Sequence, residues 1–354
     1  MKELFIDVIS KFKTDGEPRS CSPFGGGHIN KTYLAYDSAG SSYILQNINT
    51  YVFKQPEPLM TNVLAVTEHL GKYADHPKAA LQFVPALSGG FLSNDDNGGC
   101  WRMYRYIDGY TREETNTEIM RECGAAFGRF QRCMLDFPAE ALFETIPRFH
   151  DTPFRYEAFH TAVDADTEGR ARNVRREIDF AFEREDFASL LMSLQASGEL
   201  PVRVTHNDTK VNNVIFDNDT NKALCIIDLD TVMPGLSVND FGDSIRFGAS
   251  TAAEDETDLD KVQFSLPLYK AYTEGFLSEC RDHLTEHEKE HLITGAKMMT
   301  LECGVRFLTD YLSGDVYFGT SREGQNLDRC RTQFKLLSEM ERQENDLRAI
   351  IKGL

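Results

Sequence analysis

The chain is 354 residues long and carries 56 acidic against 38 basic side chains, a formal net charge of −18. That length leaves room for two or three domains around a large core, and that charge argues against adhesion to nucleic acid or to an anionic membrane. A small, diffusible partner is the expectation.

The opening residues place Leu4, Phe5, Val8, Ile9 and Phe12 at helical spacing, and the charges among them exclude a secretory signal, so an amphipathic helix is expected. The runs KTYLAY, SYILQNI, LQFVPAL and CWRMYRYI read as strands, with glycine turns at 25–27, 89–90 and 98–99 and one helix over about 58–73 after Pro58. Past Ile107 to Thr111 the texture becomes helical, in TEIMRECGAAFGRFQRCML, in much of 153–196, and in 258–278, 285–313 and 326–352. The interval 201–248 returns to short strands and loops. The expectation is an α+β chain with a β-rich domain over 1–108 and a mostly helical domain over 109–354. No apolar run is long enough for a membrane span. The eight cysteines contain no C-x-x-C pair and read as small buried hydrophobes, for which a reducing cytoplasm is the simplest home.

Chemistry is concentrated in THNDTKVNNVIFD, residues 205–217, a polar loop between apolar runs. His206-Asn207-Asp208 is followed by four residues and then Asn213, the H-x-D-x-x-x-x-N spacing of a kinase catalytic loop, in which the aspartate accepts a substrate proton and the asparagine holds magnesium. The next strand, ALCIIDLD, ends in Asp228 and Asp230. Asn213 and Asp228, at the ends of adjoining strands, offer the oxygen ligands that Mg2+ prefers. Lys210 would place a positive charge beside a phosphoryl group. Taken singly, these asparagines and aspartates read as turn residues and His206 as a buried hydrogen-bonding group; the order of the whole set points to phosphotransfer.

THNDTKVNNVIFD together with CIIDLDTVMPGLSVNDFGDSIRFGAS resembles the phosphotransferases related to aminoglycoside and choline kinases, and FGGGHINKTYLAY and YILQNINTYVF extend the likeness more loosely into the first domain. The resemblance implies a bilobal protein-kinase-like fold that binds ATP between its lobes with Mg2+. By motif position it implies Asp208 as the base, Asn213 and Asp228 as metal ligands, and Asp240 as a brace for the catalytic loop. It further implies a small-molecule sugar and a nucleotide as partners, with transfer to the anomeric hydroxyl of an N-acetylated hexosamine. Kinases of other small alcohols, such as an aminoglycoside, choline or homoserine, and a noncatalytic binding protein of the same fold are the alternatives. Gly25, Gly26 and Gly27 are the candidates for covering the phosphates, and His28 either faces the sugar or caps the turn.

One part of the kinase pattern is missing: the third strand offers Gln46 where a lysine is usual, and Glu68 on the following helix has no obvious partner. Arg306, on an apolar helix, either pairs internally with Glu302 or Asp310 or joins Tyr317 in holding a polyhydroxy ligand. Two rival motifs explain fewer residues. HEKEH, residues 287–291, matches H-E-x-x-H, yet Thr285 and Glu288 also form a capping box, which reads as a solvated helix start. Asp228-x-Asp230 resembles a glycosyltransferase D-x-D, but no alternating βαβ pattern precedes it.

Overall fold

The computed structural model describes residues 5–25 and 29–354; Leu4, Gly26, Gly27 and His28 lie outside them. The chain folds into two compact units, the first made of 1–110, 140–147 and 215–233 and the second of 111–139, 148–214 and 234–354. Contact therefore divides the chain differently from composition: two segments of the helical half pack with the β-rich unit.

The first unit is built on an antiparallel sheet of β1 (Pro18–Pro23), β2 (Lys31–Asp37), β3 (Ser42–Ile48), β4 (Ser93–Asn94) and β5 (Cys100–Arg105), in the order β1-β2-β3-β5-β4. Side chains alternate across its faces. Tyr43, Leu45, Trp101 and Met103 enter an apolar core with Val8, Ile9 and Phe12, while Gln46 and Arg102, cross-strand partners in register, occupy the opposite face. The first helix, α1 (Ile6–Ile9), is a single turn, and Phe12 beyond it forms a bridge to Ala86. α2 (Pro56–Gly71) starts on a proline, which has no N–H to leave unpaired there. Residues 81–87 make isolated bridges rather than the expected strand, because Pro85 has no N–H to donate to a ladder. β1 escaped the sequence reading because a proline closes it at each end.

The second unit holds α3 (Thr117–Cys133), α4 (Thr152–Ala165), α5 (Arg175–Phe182), α6 (Glu185–Ala188), α7 (Leu190–Ala196), α8 (Ser237–Gly248), α9 (Leu266–Cys280), α10 (Glu286–Leu312), α11 (Gln325–Arg342) and α12 (Glu344–Gly353). Among the short strands, β6 (Arg203–Thr205) pairs with β9 (Met233–Gly235), while β7 (Val214–Phe216) pairs with β8 (Ala223–Ile226) in a hairpin that falls almost wholly within the first unit. One core gathers Phe159, Ile178, Leu301, Val305, Phe334 and Leu337 from α4, α5, α10 and α11.

α8 corrects the reading of 201–248 as strands and loops. Eleven of its twelve residues are buried, including Asn239, Asp240, Asp243 and Arg246; Val238, Phe241 and Ile245 recur at helical spacing, but the Asn, Asp, Gly and Ser between them read as turn residues. It runs so close to α10 that a Cβ on Gly242 would strike the Gly295 carbonyl, and one on Gly295 the Val238 carbonyl.

Candidate active site

The loop between β6 and β7 is held from outside by α8. The Asp240 carboxylate accepts hydrogen bonds from the backbone N–H of His206 and of Asn207, each at 2.8 Å, and from Gln131 on α3 at 3.0 Å. Thr209 is gripped three times: its N–H donates to Asp243, its hydroxyl to the Asp240 carbonyl, and its own carbonyl accepts from Ser244. Phe127 and Phe130 set their ring edges against the buried His206, whose Nδ1 accepts from the Asp208 N–H. Asn207 adopts φ 63°, a left-handed turn that asparagine tolerates. From the far side His150 places Nε2 3.3 Å from the Asn207 carbonyl, while its Nδ1 lies 2.9 Å from the buried Glu302. The brace expected of Asp240 is thus present; Gln131 and His150 carried no sequence signal, Gln131 lying 73 and 109 positions from its partners Val204 and Asp240 and His150 57 positions from Asn207.

What this frame displays is Asp208, with a quarter of its side chain exposed, its Oδ1 2.8 Å from the Lys210 ammonium. Burial works to raise its pKa, but the Lys210 charge overrides burial and holds the carboxyl below its usual range. Burial likewise works against the charge on Lys210, and the Asp208 and Asp243 carboxylates override it upward. Asn213 donates its amide N–H groups to the Asp208 carbonyl and carboxylate, at 2.8 and 3.1 Å. Its side-chain oxygen is therefore the end that could serve as a ligand. The structure brings Asp208, Lys210 and Asn213 together.

In the first unit, Asp228 follows β8 in the left-handed conformation, φ 59° and ψ 53°, and is exposed; the short turn Leu229–Thr231 then buries Asp230. Arg102 on β5 donates to Asp230 Oδ1, Asn30 donates to Oδ2, and the Thr145 hydroxyl donates to the Asp230 carbonyl. The guanidinium also donates through Nε and Nη2 to the Gln46 side-chain oxygen, at 3.0 and 2.8 Å. Asp230, engaged by Arg102 and Asn30, does not form the metal-binding pair of a D-x-D motif. An amide oxygen from Asn213 and a carboxylate from Asp228 are hard donors that suit Mg2+. From α2, Met60 meets the Arg102 head, Sδ at 3.8 Å; Glu68 is exposed and lines a cavity of ≈ 420 Å³ with Leu81, Phe83 and Phe91.

Gly25 is exposed at φ +70°, with open space where a Cβ would point; Gly26, Gly27 and His28 lie outside the described residues. Both internal partners considered for Arg306 hold other groups, although against the upward effect of burial the Arg306 charge, after His150, still helps to lower the Glu302 pKa. Glu302 takes His150 and Thr152, and Asp310 accepts the backbone N–H groups of Val316, Tyr317 and Phe318. Half-buried Arg306 instead lies over the rings of Phe149 and Phe318, and the ring of the exposed Tyr317 lies 4.8 Å from that of Phe318. Burial and the Arg306 charge both depress the pKa of Arg155, so two cations share this corner.

The capping box at Thr285 and Glu288 is present, but Glu288 is buried rather than solvated, tied to Arg203 and to Ser237. It cannot act as the base of a zinc protease. His287, Glu290 and His291 place ligand atoms within 4.8 Å of one another at this helix start, two of the three exposed.

An α+β chain with a five-stranded antiparallel sheet in one unit and a helical unit carrying this loop has the bilobal kinase-like fold. It belongs to the Phosphotransferase enzyme family, whose signature matches residues 20–274. Among similar solved structures, a microcompartment-associated aminopropanol kinase is 15% identical, with 97% of each chain covered and a TM-score of 0.64. An amicoumacin kinase in complex with AMP-PNP, Ca2+ and Ami is 13% identical over 96% of this chain and 93% of that one, TM-score 0.63. A spectinomycin phosphotransferase in complex with ADP and its antibiotic is 11% identical over 99% and 98%, TM-score 0.59. At these identities the likeness is one of fold. Among the described residues no helix is long and apolar enough to cross a membrane, and all eight cysteines are free thiols.

Proposed function

We propose that the protein is an ATP-dependent, Mg2+-requiring kinase that phosphorylates the anomeric hydroxyl of an N-acetylhexosamine, an N-acetylhexosamine 1-kinase. The observation that carries the phosphotransfer reading is the braced loop presenting Asp208 beside Lys210 and Asn213. Asp208 accepts the proton of the acceptor hydroxyl as the bond to phosphorus forms. Lys210 keeps that carboxylate ionised before the reaction and faces the charge that gathers on the transferred group. Asn213 and Asp228, which flank the β7–β8 hairpin in the chain, hold Mg2+, whose charge when bound neutralises the phosphate oxygens. Gly25, Gly26 and Gly27 cover the nucleotide phosphates.

The sugar reading rests on the sequence likeness of 204–250 and on the chemistry of the anomeric hydroxyl, which the ring oxygen makes more acidic than an ordinary alcohol. His28, Arg306 and Tyr317 orient the acceptor, and the cations and rings around Arg306 suit a polar molecule with apolar ring faces. The test is a panel assay with ATP and Mg2+ over N-acetylglucosamine, N-acetylgalactosamine, unacetylated hexoses, choline, homoserine, an aminoglycoside and an amino alcohol. ADP release with the N-acetylhexosamines above all others is expected. Preference for another alcohol would replace the acceptor, and ADP release with none would favour a noncatalytic binding protein.

A further inference from the structure

The strand position where a kinase-like fold usually carries its lysine holds Gln46, yet a buried cation stands directly across the ladder from it. Gln46 and Arg102 are register partners on β3 and β5 and share one face of the sheet. We propose that Arg102, across the ladder from the position of the absent third-strand lysine, is a positioning residue that fixes the turn displaying Asp228 and keeps Asp230 away from the metal. This rests on the phosphotransfer reading given above.

Arg102 uses its planar fork on two acceptors at once, the Gln46 oxygen and the Asp230 carboxylate. A lysine, a single point of charge on a flexible stem, cannot span both in fixed geometry. Both side chains of the ion pair are 3% exposed, so neither charge has water as a substitute partner. Asn30 closes the second Asp230 oxygen and Thr145 holds its carbonyl. Asp228, two residues earlier, is in the left-handed conformation, which aspartate adopts more readily than most side chains and which here leads directly into the turn that Asp230 anchors. With Asp230 engaged by Arg102 and Asn30, Asp228 would be the carboxylate of the pair that holds a divalent ion. Gln46 completes the arrangement as the acceptor that aims the guanidinium, which is why a neutral amide serves where a cation is usual.

The test compares Arg102→Met, Arg102→Lys and the double variant Gln46→Lys/Arg102→Gln with the parent protein. Calorimetry measures ADP binding with Mg2+ and with EDTA, alongside thermal unfolding and the Mg2+ dependence of turnover. In folded Arg102→Met, binding of ADP with Mg2+ is expected to weaken by about tenfold or more, the usual effect of losing a partner that orients a metal ligand. Binding in EDTA should stay nearly unchanged. The double variant, which moves the cation back to the third strand, should recover part of the loss. Should Arg102→Met fail to fold, Arg102→Lys decides: it keeps the charge and loses the fork, and its half-saturating Mg2+ must rise. Equal weakening with and without Mg2+, or an unchanged Mg2+ requirement in Arg102→Lys, would overturn the proposal. Parent protein that binds ADP and Mg2+ but phosphorylates no sugar would remove only the acceptor assignment.

Discussion

In the proposed reaction Asp208 is the proton acceptor, a carboxylate set beside Lys210 and Asn213. Asp208→Asn keeps the shape and cannot take a proton, so turnover should fall by roughly 10²–10⁴-fold, with thermal unfolding and ADP binding nearly unchanged; residual activity above a few per cent would remove Asp208 as the base. Lys210 sets the pH range. Since its charge holds the Asp208 carboxyl below the usual range, Lys210→Ala raises that pKa. The ionised form is the competent one, so the low-pH limb of kcat/KM should move to higher pH in the variant. A pH–rate profile checks this, and an unmoved limb would show that another group controls the acid side. These residues were legible in the sequence because their spacing is local. The Arg102–Gln46 pair was not, because its members lie 56 positions apart and meet only through strand pairing that local spacing does not record.

Elements carry the loop, and α8 is the central one. Its buried acids hold the backbone of 206–209, so its distance from α10 sets where Asp208 stands. Gly295 permits that distance. Gly295→Ala forces the helices apart or bends α8, at a cost of about 1–3 kcal/mol by the usual scale of overpacking. Thermal unfolding should fall by several degrees, with kcat falling more than the KM for ATP; a stable and fully active variant would show that the α8–α10 contact does not control the loop. The sequence reading missed α8 because its apolar period, Val238, Phe241 and Ile245, is interleaved with Asn, Asp, Gly and Ser, which favour turns in an exposed segment but here are buried and bonded to the loop. It recovered α3 and α10, whose capping residues Asn116 and Thr285 stand where each helix begins.

At the scale of the molecule, the β-rich first half and helical second half were legible from hydrophobic texture alone. The assignment of 140–147 and 215–233 to the β-rich unit was not, since composition does not record which segments return to an earlier one. The same limit applies to the proposed acceptor: the loop's spacing suggests proton acceptance from a hydroxyl, while the choice of hydroxyl would depend on how the surrounding residues orient the acceptor. Phosphorus NMR of the product formed from ATP, Mg2+ and N-acetylgalactosamine or N-acetylglucosamine tests the account most directly. The account predicts an anomeric 1-phosphate and a 1-deoxy analogue that competes without reacting; a 6-phosphate, phosphorylation of the 1-deoxy sugar, or ATP left intact would contradict it.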